Sequence, residues 1–211
     1  MPGDHAQFAS GKAPASSRKV FGLGLSRTGT RSLTRALRTL GLDVRHYPAD
    51  RGTWDTLMRG DARFPVLDHC DGIADITCVP YYEELDQAWA GSKYILTVRD
   101  EESWLRSCQF HWARPVESKR GKGQEYPELQ RFLRAAVYAC LEFDEDRFRR
   151  VYRRHVDSVR RYFADREEDL LVLDIAAGEG YERLAPFLGL PIPDEPFPHQ
   201  GRRPAPVGDP Q

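Results

Sequence analysis

Apolar positions along this chain follow two rhythms. One is the short, unbroken apolar run bounded by Gly, Ser or charged residues. Lys19–Leu25 (KVFGLGL), Lys93–Val98 (KYILTV) and Leu170–Ile175 (LLVLDI) are of this kind and predict strands buried on both faces. Asp43–Tyr47 and the shorter Phe64–Leu67 predict two more. The other rhythm has the period of a helix. Leu33, Ala36, Leu37 and Leu40 share one face of Thr30–Leu40, and Gly41 stands where that helix must stop. Helices are also predicted over Pro80–Ala90, Glu101–Trp112, Tyr126–Leu141, Asp144–Asp165 and Tyr181–Leu188. Strands alternating with helices predict an α/β domain over residues 19–200, with one central parallel sheet covered by helices on both faces. Residues 1–18 and 201–211 are rich in Ala, Ser, Gly and Pro without periodicity, and are expected to be tails.

Composition narrows the function classes. The 211 residues are 40% hydrophobic and 30% charged, with a net charge of −1, so no global field attracts nucleic acid. Any anion site must be local. No run approaches the roughly 20 apolar residues of a transmembrane segment, and the first residues lack the apolar core of a secretory leader. Cys70, Cys78, Cys108 and Cys140 have neither zinc-ligand nor redox spacing. A cytoplasmic setting is the expectation. Oligomeric state is not legible.

The candidate chemistry begins after the first strand, because ligands of parallel sheets bind beyond the carboxyl ends of the strands. FGLGLSRTGTRSL, Phe21 to Leu33, is a strand, a Gly-rich turn and a helix start. Unpaired N–H groups of a helix's first turn favour phosphate or sulfate. Ser26, Arg27, Thr28, Gly29, Thr30, Arg31 and Ser32 are the candidate anion-binding residues. Gly24 and Gly29 have the spacing of a Walker A loop, but Thr30 stands at its lysine and Arg31 at its Ser/Thr. That argues against a nucleotide-hydrolysing kinase or ATPase.

This loop resembles the donor-binding loop of the sulfotransferase family, commonly P-K-S-G-T-T-W. Ser26 stands at the proline, Arg27 at the lysine and Thr28 at the serine. Gly29 and Thr30 match, and Arg31 and Ser32 depart. ILTVRDEESWLRSC places Arg99 at a strand end and Ser107 eight residues on. DITCVPYYEELDQAW and LLVLDIAAGEGYERLAPFLGLPIPDEPFPH also resemble a bacterial branch, in which Thr77 replaces a usual proline. The resemblance runs from about Lys19 to His199. It implies a P-loop-type fold and transfer of a sulfuryl group from 3′-phosphoadenosine 5′-phosphosulfate (PAPS) to a hydroxyl of a small-molecule acceptor, without a metal. By resemblance the loop would hold the 5′-phosphosulfate, and Arg99 with Ser107 the 3′-phosphate.

Such transfer needs a base. Asp75 is the first candidate by resemblance. His69 is the second, since imidazole ordinarily changes charge near neutrality, and His111, one helical turn beyond Ser107, is the third. Arg27 would stabilise charge on the transferring group. Lys119, Arg120 and Lys122, or Arg202 and Arg203, could reach the donor. Three other readings stand beside this one. VLDIAAGEG, Val172 to Gly180, matches the loop of S-adenosylmethionine-dependent methyltransferases, but the 31 residues after Gly180 (211 − 180) are too few for that fold. A P-loop kinase with an altered loop and a non-catalytic nucleotide-binding module are the others.

Overall fold

The computed structural model describes residues 18–113 and 127–199. Among them, five strands form one sheet: β1 (Val20–Gly22), β2 (Val44–His46), β3 (Gly72–Ala74), β4 (Lys93–Thr97) and β5 (Leu170–Leu173). Their order is β2-β3-β1-β4-β5 and every pairing is parallel. The helices are α1 (Thr30–Thr39), α2 (Arg51–Met58), α3 (Tyr82–Ala88), α4 (Glu101–Trp112), α5 (Pro127–Tyr138), α6 (Glu145–Tyr162) and α7 (Tyr181–Phe187). None among the described residues is long and apolar enough to cross a membrane.

Alternation along each strand sorts the core into two layers. Phe21, Tyr94 and Leu96 face α2 to α6, where they meet Leu57, Leu85, Trp104, Leu133 and Phe148. Val20, Ile95, Leu171 and Leu173 face α1 and α7, where they meet Leu33, Leu37 and Leu184. The expected α/β architecture with helices on both faces is what forms. Leu33 and Leu37 are fully buried, each contributing about 1.5–3 kcal/mol of apolar burial. That contribution fixes α1, and with it the loop before α1.

One sequence expectation fails locally. Phe64–Leu67 is not a strand. Pro65 opens a 3-10 turn over Pro65–Asp68, which suits a residue with fixed φ and no N–H. The third strand is instead the three-residue GIA of β3, too short for a periodic signal. Helix α2 carried no expectation. Gly52 lies in its first turn, and its start is fixed by Asp50, whose side chain accepts from the Thr53 amide at 2.9 Å. The tails, apart from Arg18, and the basic segment Ser118–Gln124 lie outside the described residues.

The strand order decides where a ligand can sit. The chain leaves β1 for β2, returns to β3, then crosses to β4 on the other flank of β1. This reversal at β1 puts the crevice at the carboxyl ends of β1, β3 and β4. Gly22, Ala74 and Thr97 end those strands.

Candidate functional site

The segment after β1 runs on beside β4, with the Leu23 amide donating to the Ile95 carbonyl at 2.8 Å. Gly24 allows this approach. A Cβ there would lie 1.8 Å from Thr97 Oγ1 and 2.6 Å from Thr28 Oγ1. The chain then turns, and Gly29, at φ 108°, opens α1. Two residues other than glycine take left-handed backbone here, Arg27 at φ 78° and Asp75, directly after β3, at φ 80°. Each conformation costs about 1–3 kcal/mol, so the surroundings must impose it. The Ser26 amide donates to the Tyr138 hydroxyl at 3.1 Å, and Trp104 Nε1–H donates to the Ser26 carbonyl at 3.0 Å. His155 Nε2–H donates to the Leu23 carbonyl at 2.7 Å, while burial pushes the His155 imidazole toward its neutral form. Tyr138 and Trp104 are fully buried. An aromatic layer from α4, α5 and α6 therefore grips the loop from behind.

The hydroxyls predicted to meet an anion are spent inside the fold. Thr28 Oγ1 donates to the Leu25 carbonyl at 2.7 Å and lies 2.6 Å from Thr97 Oγ1. Ser26 Oγ donates to Asp75 Oδ1 at 2.8 Å, and Thr30 Oγ1 donates to Asp75 Oδ2 at 2.6 Å. Ser32 is buried. In the first turn of α1, Arg31 is the exposed side chain. The helix's first intrahelical bond is from the Leu33 amide to the Gly29 carbonyl, and no side chain caps it. The amides of Thr30 and Arg31 precede that bond, in the turn whose N–H groups a helix leaves without intrahelical partners.

Asp75 joins this loop to β2. Its carboxylate also accepts from the Ile76 amide at 2.7 Å and lies 3.0 Å from His46 Nε2. Burial works against its charge, but His46, Thr30 and the Ile76 amide outweigh it and hold the carboxyl down at about 2. So engaged, Asp75 is a poor proton acceptor. His46, at the end of β2, also contacts Thr30 Oγ1 at 3.1 Å and keeps 22% of its side chain exposed. Sequence reading missed His46. It lies 29 residues before Asp75 (75 − 46), and only the β2–β3 pairing, His46 opposite Ala74, brings the two together.

Three arginines gather here. Arg27 Nε donates to Ser107 Oγ at 3.0 Å. Arg99 donates through Nε and Nη2 to Ser103 Oγ at 3.0 and 2.8 Å, and its Nη1 lies 3.4 Å from the Arg27 carbonyl. Arg99 and Ser107, expected to share a phosphate, each contact a different residue of the site, Ser103 and Arg27. Ser103 holds Arg99, Ser107 holds Arg27, and both serines line one stripe of α4. Eight residues carry a helix through more than two turns, whereas the four from Arg99 to Ser103 let the guanidinium fold back on the first turn. Burial pulls Arg27 below the usual guanidinium range, and the charges of Arg99 and Arg31 add to this, against Cys108 and Asp75. Among the described residues, no carboxylate is within hydrogen-bonding distance of Arg27, Arg31 or Arg99. An uncompensated cationic cluster at an uncapped helix N-terminus is a place for a polyanion.

Other candidates fall elsewhere. His69 is exposed and follows the 3-10 turn that precedes β3. It is at the amino ends of the strands, the opposite edge of the sheet from the loop, so it is not a residue of this site. His111 lies on α4 with its ring edge against Trp112. Lys119, Arg120, Lys122, Arg202 and Arg203 lie outside the described residues. The methyltransferase-like VLDIAAGEG follows β5 at the sheet edge. Its turn closes on itself, with the Ala177 amide donating to Asp174 Oδ1 at 2.9 Å. Ile175 packs beneath Gly29, where an added Cβ would lie 3.2 Å away. That segment supports the anion loop and forms no second cradle.

A parallel sheet of this order, with a Gly-containing loop leading from its first strand into a helix, is a P-loop-type α/β fold. The family model for the sulfotransferase domain matches residues 19–205, and the chain belongs to that family. Its reaction class is thus sulfuryl transfer. In sequence it is similar to Ava biosynthesis cluster protein M of Aspergillus versicolor, 28% identical over 221 aligned positions that cover 86% of this chain and 80% of that protein. In fold it is similar to the crystal structure of a sulfotransferase from Alicyclobacillus acidocaldarius. There the TM-score is 0.52 at 15% identity, over 91% of this chain and 88% of that one.

Proposed function

We propose that this protein transfers the sulfuryl group of PAPS to a hydroxyl of a small-molecule acceptor. The observation that carries the reading is the cluster of Arg27, Arg31 and Arg99, without a hydrogen-bonded acid among the described residues, at the uncapped start of α1. The amides of Thr30 and Arg31, with Arg27, suit the 5′-phosphosulfate. Arg99, set by Ser103 on the β4 side, suits the more distant 3′-phosphate. The donor supplies the activated sulfuryl group, and Arg27 and the loop amides stabilise charge on it and on the departing phosphate oxygen.

The base in this reading is His46, with Asp75 as the group that orients it. If Nε2–H donates to Asp75 Oδ2, the lone pair is left on Nδ1. The acceptor oxygen bonds to sulfur, the bond from sulfur to the 5′-phosphate oxygen breaks, and the acceptor proton moves to Nδ1. The products are a sulfate ester and 3′-phosphoadenosine 5′-phosphate. The test is transfer of a radiolabelled sulfuryl group from PAPS to a library of phenols and alcohols. Label should move to at least one hydroxyl compound with wild type, and far more slowly with His46→Ala. A protein that binds the bisphosphate but labels nothing would instead be a binding module.

A further inference from the structure

One basic feature extends past the donor cluster. Helix α1, TRSLTRALRT, carries Arg31, Arg35 and Arg38 and no acidic residue. These three line an open hollow of about 430 Å³ together with Thr34 and His46. Spacings of four and three residues put the arginines on one helix face. Arg38 is braced by its Nε–H, which donates to the Val44 carbonyl at 3.0 Å. Among the described residues, no carboxylate is hydrogen-bonded to Arg31, Arg35 or Arg38. Arg31 sits in the first turn of α1, where the helix dipole repels a cation. Nothing in this face offsets its charge, so the face is electrostatically incomplete.

Its position gives the charge a use. In the strand order, β4 with Arg99 lies on one flank of β1, and β2 with His46 lies at the far edge of the other. A donor reaching from the α1 loop toward Arg99 must direct its sulfuryl end toward β3 and β2, since in-line displacement places the acceptor opposite the leaving phosphate. The hollow opens on that side, and His46 belongs both to it and to the Asp75 pair. We infer that the hollow of Arg31, Arg35, Arg38 and His46 is the acceptor subsite, and that it selects hydroxyl compounds bearing an anionic oxyacid group, a carboxylate or a phosphate. This inference rests on the sulfuryl-transfer reading above. Arg35 and Arg38 would hold the anionic group while His46 meets the hydroxyl.

The test compares matched acceptors with the full-length protein and PAPS. 4-Hydroxyphenylacetate is set against its neutral amide, 3-hydroxybutyrate against its amide, and 4-hydroxyphenyl phosphate against 4-methoxyphenol. Binding of each compound to the protein saturated with 3′-phosphoadenosine 5′-phosphate is measured beside kcat/KM. The expected result is a preference of about tenfold or more for an anionic member over its neutral match. The carboxylate and phosphate arms show which group is taken. In Arg35→Ala the ratio of anionic to neutral should fall toward one, and in Arg35→Glu below one, while bisphosphate affinity and melting temperature stay near wild type. Equal use of both members, a ratio unmoved by Arg35→Glu, or no binding by any anionic compound would overturn the inference. If the bisphosphate also fails to bind, the donor reading itself has failed. If it binds and neutral acceptors are sulfated without regard to Arg35, only the subsite has.

Discussion

In the proposed mechanism one contact takes the role of base from Asp75 and gives it to His46. A carboxylate that accepts from Ser26, Thr30, Ile76 and His46 has little basicity left, and its engagement is what holds the loop to β3. His46→Ala should lower kcat by about a hundredfold or more while changing bisphosphate affinity little, measured by steady-state kinetics beside calorimetry. Asp75→Asn should lower kcat and also stability. The pH dependence has a definite sign. The folded carboxyl, at about 2, lies below its ordinary 3.8. Its stabilisation is therefore present above about pH 4 and lost as pH falls through about 2. The difference in unfolding free energy between wild type and Asp75→Asn, measured in urea, should narrow over that interval. A gap that stays constant would mean the carboxylate charge stabilises nothing. Asp75 was legible in the sequence by resemblance. His46 was not, because its partners come from β3 and the α1 loop, and local patterning carries no record of strand pairing.

The unit of β1, loop and α1 was the most legible element, because close packing and backbone geometry leave few residues acceptable there. Gly24 is the sharpest case. Gly24→Ala would drive a methyl group to within 1.8 Å of Thr97 Oγ1, so the variant should lose about 1–3 kcal/mol of stability and bind the bisphosphate weakly. Thermal melting and calorimetry check both. A variant as stable as wild type would mean the β1–β4 approach is looser than described. Helix α4 was placed correctly from its apolar spacing and the acids of its first turn. The Arg99–Ser103 contact was not legible, since which serine of α4 the guanidinium meets depends on how it folds. Strand β3 escaped because three residues cannot display a period. Its flanking aspartates, Asp71 and Asp75, were the only local mark of its ends.

At the scale of the whole molecule, charge balance and topology act together. The net charge is −1, yet Arg27, Arg31 and Arg99 converge where the strand order reverses direction around β1. Alternating buried runs and helical stripes made the two-layered sheet legible. The order of the strands was not, because every parallel arrangement of such runs has the same one-dimensional pattern. In the proposed reading that order separates a donor side, at β1 and β4, from an acceptor side, at β2 and β3.

The central claim is that this cationic cluster holds the bisphosphate of a sulfuryl donor. Calorimetric titration of the full-length protein with 3′-phosphoadenosine 5′-phosphate tests it most directly, with ATP and S-adenosylmethionine as comparisons and Arg27→Ala and Arg99→Ala as variants. The bisphosphate should bind more tightly than either comparison compound, and each variant should lose about 2–3 kcal/mol of that affinity. Tight binding of ATP or S-adenosylmethionine with none of the bisphosphate, or variants that bind as wild type does, would contradict it.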